Sequence, residues 1–188
     1  MFKMKSKQIK FFILIKILLV IDQITKAIIV SNKESFPKEV IRGVLDFTYC
    51  ENRGIAFGFA SGHVRLFSIV TLIILAIIVI AVFKKFDKLS KLQSVGIAML
   101  ISGGIGNFID RAFRSYVVDF IDFGKIINFP IFNIADIYVV CGVIIIGISF
   151  FIDNRSGDID KNNRWWKWRY KIGFLYINKR YGVIKRER

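Results

Sequence analysis

The sequence predicts a mainly α-helical membrane protein in which four spanning helices carry a small sheet at the outer surface. Three observations point there. Apolar residues make up 54% of the 188 positions and the mean hydropathy is +0.51, high for a soluble domain of this length. Four stretches, 11–30, 64–83, 92–109 and 126–152, each approach the roughly 20 mostly apolar residues that a span of the hydrocarbon core requires. The net charge of +15 is spread unevenly along the chain. Cations gather in the N-terminal segment, around Lys84, Lys85, Lys88 and Lys91, and from Arg155 onward. The intervening loops, 31–63 and 110–125, mix fewer cations with Glu34, Glu39, Asp46, Glu51, Asp119 and Asp122. By the positive-inside rule both termini are cytoplasmic and the acid-bearing loops face outward. This placement suits a membrane surface and argues against a nucleic-acid partner.

The first stretch follows Lys3, Lys5, Lys7 and Lys10, as a signal peptide would. Lys16, Asp22 and Lys26 interrupt it, however, and no small-residue cleavage site follows, so it reads as a retained helix. Beyond it, the run from Val40 to Tyr49 is rich in β-branched and aromatic residues and predicts short strands. Strands with open edges cannot cross lipid, so they belong on the outer surface as an amphipathic sheet, with Gly54, Gly58 and Gly62 supplying turns. The fourth helix opens after Pro130, which suits a first helical turn and puts Asp136 near the outer end. Residues 1–153 form the membrane domain, including the sheet region of about 35–63, and residues 154–188 form a basic, aromatic tail. Cys50 in an outer loop and Cys141 within the fourth helix are expected as free thiols.

Ionisable groups at membrane depth are costly, about 2.5–3.5 kcal/mol each on insertion scales, and each one calls for a partner or a function. Asp22 and Lys26 are spaced i to i+4 and can pair locally. In Gly103-Gly104-Ile105-Gly106-Asn107-Phe108-Ile109-Asp110-Arg111, glycines permit close helix approach, and Asn107 shares a face with Asp110 and Arg111. Those two charges are expected to pair with each other or with nearby polar groups. Asn133 and Asp136 lie one helical turn apart, and Asp136 has no cation following it before Arg155. Asp119, set among apolar neighbours just ahead of the fourth helix, is a candidate to meet it. Two carboxyls in one poorly solvated site hold a proton between them, as in aspartic proteases. Alone, such a pair more often marks a proton or ion pathway, and a small transporter using Asp22, Asp110 and Asp136, or a peptide-binding membrane adaptor, stands as an alternative. His63 reads as a surface histidine and Ser102 has no evident base.

Taken together, these motifs resemble the lipoprotein signal peptidases, or signal peptidase II. The resemblance is carried by Asp22-Gln23-Ile24-Thr25-Lys26, by Asn52-Arg53-Gly54-Ile55-Ala56-Phe57, by the glycine-rich run ending in Asp110-Arg111, by Val117-Val118-Asp119-Phe120 and by Phe132-Asn133-Ile134-Ala135-Asp136. It covers roughly residues 9–153. It implies four helices, an outer β-cradle and an aspartyl dyad, Asp119 and Asp136, at the surface of the bacterial cytoplasmic membrane. Asn107 and Asn133 then line the site and Asp110 and Arg111 support it. Asn52 and Gly54 come from the cradle loop, and Asp22 and Lys26 brace the site. The implied substrate is a diacylglyceryl-modified prolipoprotein cut N-terminal to its lipidated cysteine, with Ile55, Phe57 and Phe59 against lipid or signal peptide. The same resemblance implies a monomer that needs no cofactor or metal and is sensitive to the cyclic peptide globomycin. The tail, with Trp165-Trp166-Lys167-Trp168, extends beyond the family pattern and is expected to anchor to the anionic membrane surface.

Overall fold

The computed structural model describes residues 5–54 and 64–155. Met1–Ser149 form one compact unit and Phe150–Arg188 a second, of which the described part is the end of the last helix. In chain order the elements are α1 (Ser6–Ser31), β1 (Lys38–Ile41), β2 (Leu45–Asn52), α2 (Val64–Lys85), α3 (Lys91–Arg114), β3 (Val117–Asp122) and α4 (Ile134–Arg155). Three described segments, Ser68–Lys88, Lys91–Arg114 and Ile134–Ile152, are long and apolar enough to cross a membrane. The 26 residues of α1 reach about 39 Å at 1.5 Å per residue. Its charges Asp22 and Lys26 are fully buried against the other helices.

Helix α3 is the hub, packing against α1 along its length and against α2 on another side. Ser90 caps it: its side chain accepts the Gln93 N–H while Gln93 Oε1 accepts the Ser90 N–H, so two otherwise unpaired donors are met. Glycine sets how closely the helices approach. A Cβ at Gly106 would strike the Asp22 carboxylate, and one at Gly103 the Ala135 carbonyl. Away from these seams, Ile69, Leu72, Ile73, Ile77 and Phe83 of α2 and Val140, Val143 and Ile144 of α4 are exposed. A helix apolar all round with one side open is suited to lipid contact.

The sheet is antiparallel in the order β1-β2-β3. Its register opposes Cys50 to Asp119 and Asn52 to Val117. One face, from Val118 and Phe120 with Phe47 and Tyr49 beside them, packs on Ile29 at the end of α1. Strand β3 was not foreseen, although Val117-Val118-Asp119-Phe120-Ile121-Asp122 is β-branched and aromatic in the same way as β2. Its other edge is occupied too: the Phe120 and Ile121 N–H groups both donate to the Phe132 carbonyl (3.0 and 2.8 Å) and Phe132 N–H returns a bond to Ile121.

The fourth helix begins at Ile134, later than the apolar stretch from residue 126 suggested. Ile126, Ile127 and Phe129 lie in an exposed loop held by turn hydrogen bonds, the Ile126 and Ile127 N–H groups donating to the Phe123 carbonyl and the Phe129 N–H to that of Ile127. Both described cysteines are free thiols. Ile55, Phe57, Gly58, Phe59, Gly62, His63 and the tail from residue 156 lie outside the described residues.

Candidate active site

The bridge between Ile121 and Phe132 places the start of α4 beside β3, and with it Asn133 beside Asp119. Asn133 is fully buried and acts as the N-cap of α4: its Oδ1 accepts the Asp136 N–H at 3.1 Å, and Asp136 Oδ2 accepts the Asn133 N–H at 3.1 Å. This is a reciprocal capping box with an aspartate at its third position. Asp136 therefore stands in the first turn of α4, where the helix dipole favours negative charge.

Amides link the two carboxyls. Asn133 Nδ2 donates to Asp119 Oδ1 at 2.6 Å and to Asn107 Oδ1 at 3.2 Å, while Asn107 Nδ2 donates to Asp136 Oδ1 at 2.7 Å. From β2, Asn52 Nδ2 donates to Asp119 Oδ2 at 2.8 Å, and its own Oδ1 accepts the Gly54 N–H at 3.0 Å. Asp119 is 2% exposed. Burial and then the Asp136 charge push its carboxyl up to about 6, although the Asn52 and Asn133 donors work the other way.

A second cluster lies deeper. Lys26 Nζ is 3.1 Å from Asp22 and 3.0 Å from Asp110, all three side chains being fully buried, and it donates to Asn107 Oδ1 at 2.9 Å. The local Asp22–Lys26 pairing thus exists, but Lys26 is shared with Asp110 and Asn107 of α3. Asp22 Oδ1 accepts the Ala135 N–H at 3.1 Å and Asp22 Oδ2 accepts from Gln23 at 3.0 Å. Asp110 pairs with Lys26 and with Arg114, one helical turn on, and takes the Val118 N–H at 3.2 Å. Arg111, its sequence neighbour, instead sits half-buried near Asp136 and donates to the Asn107 carbonyl at 3.5 Å. A cavity of about 350 Å³ between α2, α3 and α4 reaches Asn107, Arg111 and Asp136, its remaining walls being mainly Ile74, Leu75, Leu100, Val139 and Val140.

All ten residues singled out from the sequence, Asp22, Lys26, Asn52, Gly54, Asn107, Asp110, Arg111, Asp119, Asn133 and Asp136, fall in these two linked clusters or on their edge. Arg114 and Gln23 were missed. Arg114 carried a readable signal, since it stands i+4 from Asp110 on α3. Ser102 donates to the Ala98 and Ile15 carbonyls, which is helix packing. Chemically, two carboxyls linked through amide donors, one of them lining an apolar cavity, can serve as an acid and a base toward a bound water.

Comparison with known proteins bears on this arrangement. Residues 14–152 match the family model described as signal peptidase (SPase) II. The lipoprotein signal peptidase of Fusobacterium nucleatum is 42% identical over 149 residues, covering 78% of this chain and 88% of that protein. That of Bacillus pumilus is 39% identical over 151 residues, covering 78% of this chain and 95% of that protein. A bacterial membrane enzyme solved by the in meso method at 2.3 Å resolution superposes with a TM-score of 0.68 at 36% identity, covering 81% of this chain and 93% of that one.

Proposed function

Since the chain belongs to the signal peptidase II family of membrane proteases, we propose that it is an aspartic endopeptidase that removes signal peptides from diacylglyceryl-modified prolipoproteins. Asp119 and Asp136 are its catalytic pair. The observation that carries this reading is the bridge of amide donors through Asn133 and Asn107, which ties Asp119 to Asp136, the carboxyl that lines the cavity.

Asp119, raised to about 6 by burial and by Asp136, is the member that carries the proton and polarises the scissile carbonyl. Asp136, with the Asn107 amide and the Asn133 N–H donating to it, takes the proton from the attacking water. The tetrahedral intermediate then collapses with proton return to the leaving nitrogen, so no covalent acyl-enzyme forms. Arg111, lining the cavity, and Asn52, from the cradle, hold the peptide backbone. Lys26, Asp22 and Asp110 support Asn107 from below, and Gly54 supports Asn52.

The charge distribution orients both termini to the cytoplasm and the dyad to the outer face of the bacterial inner membrane, in a monomer whose residues 1–153 are the peptidase domain. Lipid chains of the substrate remain in the bilayer while the bond N-terminal to the modified cysteine reaches the dyad. Globomycin inhibits the reaction.

The test uses purified protein in detergent with a diacylglyceryl-modified prolipoprotein, comparing wild type with Asp119→Asn and Asp136→Asn. Cleavage before the lipidated cysteine by wild type alone is the expected result. A folded wild type that leaves this substrate intact, or a folded variant that cuts at the wild-type rate, would defeat the assignment.

A further inference from the structure

We propose that Tyr49, Glu51, Arg53 and Tyr116 form a clasp on the far face of the β2–β3 pair that positions Asn52, and through it Asp119, for the peptidase reaction. The inference rests on the reading of Asp119 as catalytic and adds four positioning residues to it.

Successive residues of a strand face opposite sides. Cys50 and Asn52 share the side of Asp119, whereas Tyr49, Glu51 and Arg53 lie on the other. There Glu51 Oε1 accepts the Tyr49 hydroxyl at 2.9 Å and Glu51 Oε2 accepts Arg53 Nη2 at 2.7 Å. The hydroxyls of Tyr49 and Tyr116 are 3.1 Å apart, and the Arg53 guanidinium lies over the Tyr116 ring at 5.5 Å. Arg53 stands just past the last residue of β2, and Tyr116 just before the first of β3, after Ser115 with φ +64°. Through Arg53 and Tyr116 the clasp thus reaches past the last registered partners of the strand pair, Asn52 and Val117.

That location is where Asn52 needs support. Its Oδ1 accepts the Gly54 N–H, so its amide is held with Nδ2 toward Asp119. Both bonds depend on the path of the chain from Asn52 to Gly54, and Arg53 is the residue between them. A single exposed ion pair does little to fix a chain. Here the pair is joined by two phenol hydroxyls and a stacked guanidinium, and the Tyr rings continue into the apolar cluster around Val118 and Phe120. The Arg53 and Tyr49 donors hold Glu51 below the usual carboxylate range, so the clasp stays charged through neutral pH.

Among the described residues, Asp119 is coupled electrostatically to Asp136 from α4, Lys26 from α1, Arg111 from α3 and the Cys50 thiol beside it on β2. None belongs to the clasp. A change in the pH profile on breaking the clasp therefore reports the Asn52 donor. Because that donor favours ionised Asp119, its loss moves the alkaline limb to higher pH.

The experiment measures kcat and KM against pH for the full chain in detergent with a diacylglyceryl-modified prolipoprotein. Variants are Glu51→Leu, Glu51→Gln, Tyr116→Phe, Asn52→Ala and the Glu51→Leu/Asn52→Ala double. Glu51→Leu is expected to lower kcat about fivefold with KM within about twofold, and to move the alkaline limb toward that of Asn52→Ala. Glu51→Gln, which can still bond Arg53 and Tyr49, recovers most of the loss. In the double variant the clasp has nothing left to position, so kcat equals that of Asn52→Ala alone. If Glu51→Leu does not fold, Tyr116→Phe serves instead, with kcat lowered about twofold and the limb moved the same way. Wild-type kcat and pH profile in both clasp variants, or a double loss equal to the product of the single ones, would overturn the proposal. Wild-type cleavage by folded Asp119→Asn, run alongside, would strike the dyad reading itself.

Discussion

Asn133 performs two tasks that substitution can separate. Its Oδ1 caps α4 by accepting the Asp136 N–H at 3.1 Å, while its Nδ2 donates to Asp119 at 2.6 Å and to Asn107 at 3.2 Å. Asn and Asp are nearly equivalent as N-caps, so Asn133→Asp leaves the start of α4 in place. It replaces the amide donor with a carboxylate oxygen facing Asp119 and Asn107 Oδ1. Losing the donor leaves a buried acceptor oxygen of the protonated Asp119 unpaired, which costs about 1–3 kcal/mol, and burying a new carboxylate there adds to that loss. At about 1.4 kcal/mol per factor of ten, kcat/KM for prolipoprotein cleavage falls about 5- to 150-fold or more. Asn133→Ser keeps a capping oxygen and drops the donor without adding charge, and lands near the lower end of that range. Asn133→Ala also loses the cap and unfolds with about 1 kcal/mol less stability than the Ser variant. Cleavage rates and thermal melting of the same preparations check all three. If folded Asn133→Asp cleaved as fast as wild type, the amide bridge would have no part in the chemistry.

Three more outcomes follow from the same contacts. Lys26→Met strands Asp22 and Asp110 without their shared cation, and thermal unfolding in detergent is expected to show a loss of about 3–5 kcal/mol, with Lys26→Met/Asp110→Asn recovering part of it; equal stability of the single variant would contradict the network. Gly106→Ala drives a methyl into the Asp22 carboxylate, and overpacking of this kind costs about 1–3 kcal/mol in the same assay. For pH, Asp119 is raised to about 6, chiefly by burial and then by Asp136, so it holds its proton below that value and loses it above. With the protonated form required, kcat/KM is flat just below the limb and falls about tenfold per pH unit beyond it. A profile level from pH 5 to 9 would remove Asp119 from the acid's role.

Hydropathy and charge were sufficient to read the helices, because lipid imposes length and apolarity on every span. Hydropathy alone put the start of α4 at residue 126 and Pro130 moved it closer, yet the helix begins at Ile134. Ile126, Ile127 and Phe129 are as apolar as the helix that follows, and only the backbone pairing of Phe132 with β3 ends the loop. Strand β3 escaped for a related reason: it is six residues long, and its apolar run reads equally as the approach to a helix. The buried acids were legible since each is conspicuous at membrane depth, yet their partners were legible only at helical spacing. Asp22 with Lys26 could be paired from the sequence. The contacts of Lys26 with Asp110 and Asn107, more than eighty residues away, depend on how α1 crosses α3.

That long-range contact also explains why a fully buried cation is tolerated. A buried ion cluster is weak grounds for stability, since well-packed apolar residues often do as well or better. The geometry instead ties the cluster to orientation. Lys26 Nζ holds Asn107 Oδ1 at 2.9 Å, and Asn133 Nδ2 approaches the same oxygen, so the Asn107 amide cannot turn over without placing two donors against its NH2. Its Nδ2 is thereby committed to Asp136. On the other side, the Gly54 N–H commits the Asn52 amide to Asp119 in the same way. Lys26 Nζ and the Gly54 N–H, neither of which touches the carboxyl concerned, thus decide the direction of the donors that meet Asp136 and Asp119, so the fold itself sets that geometry.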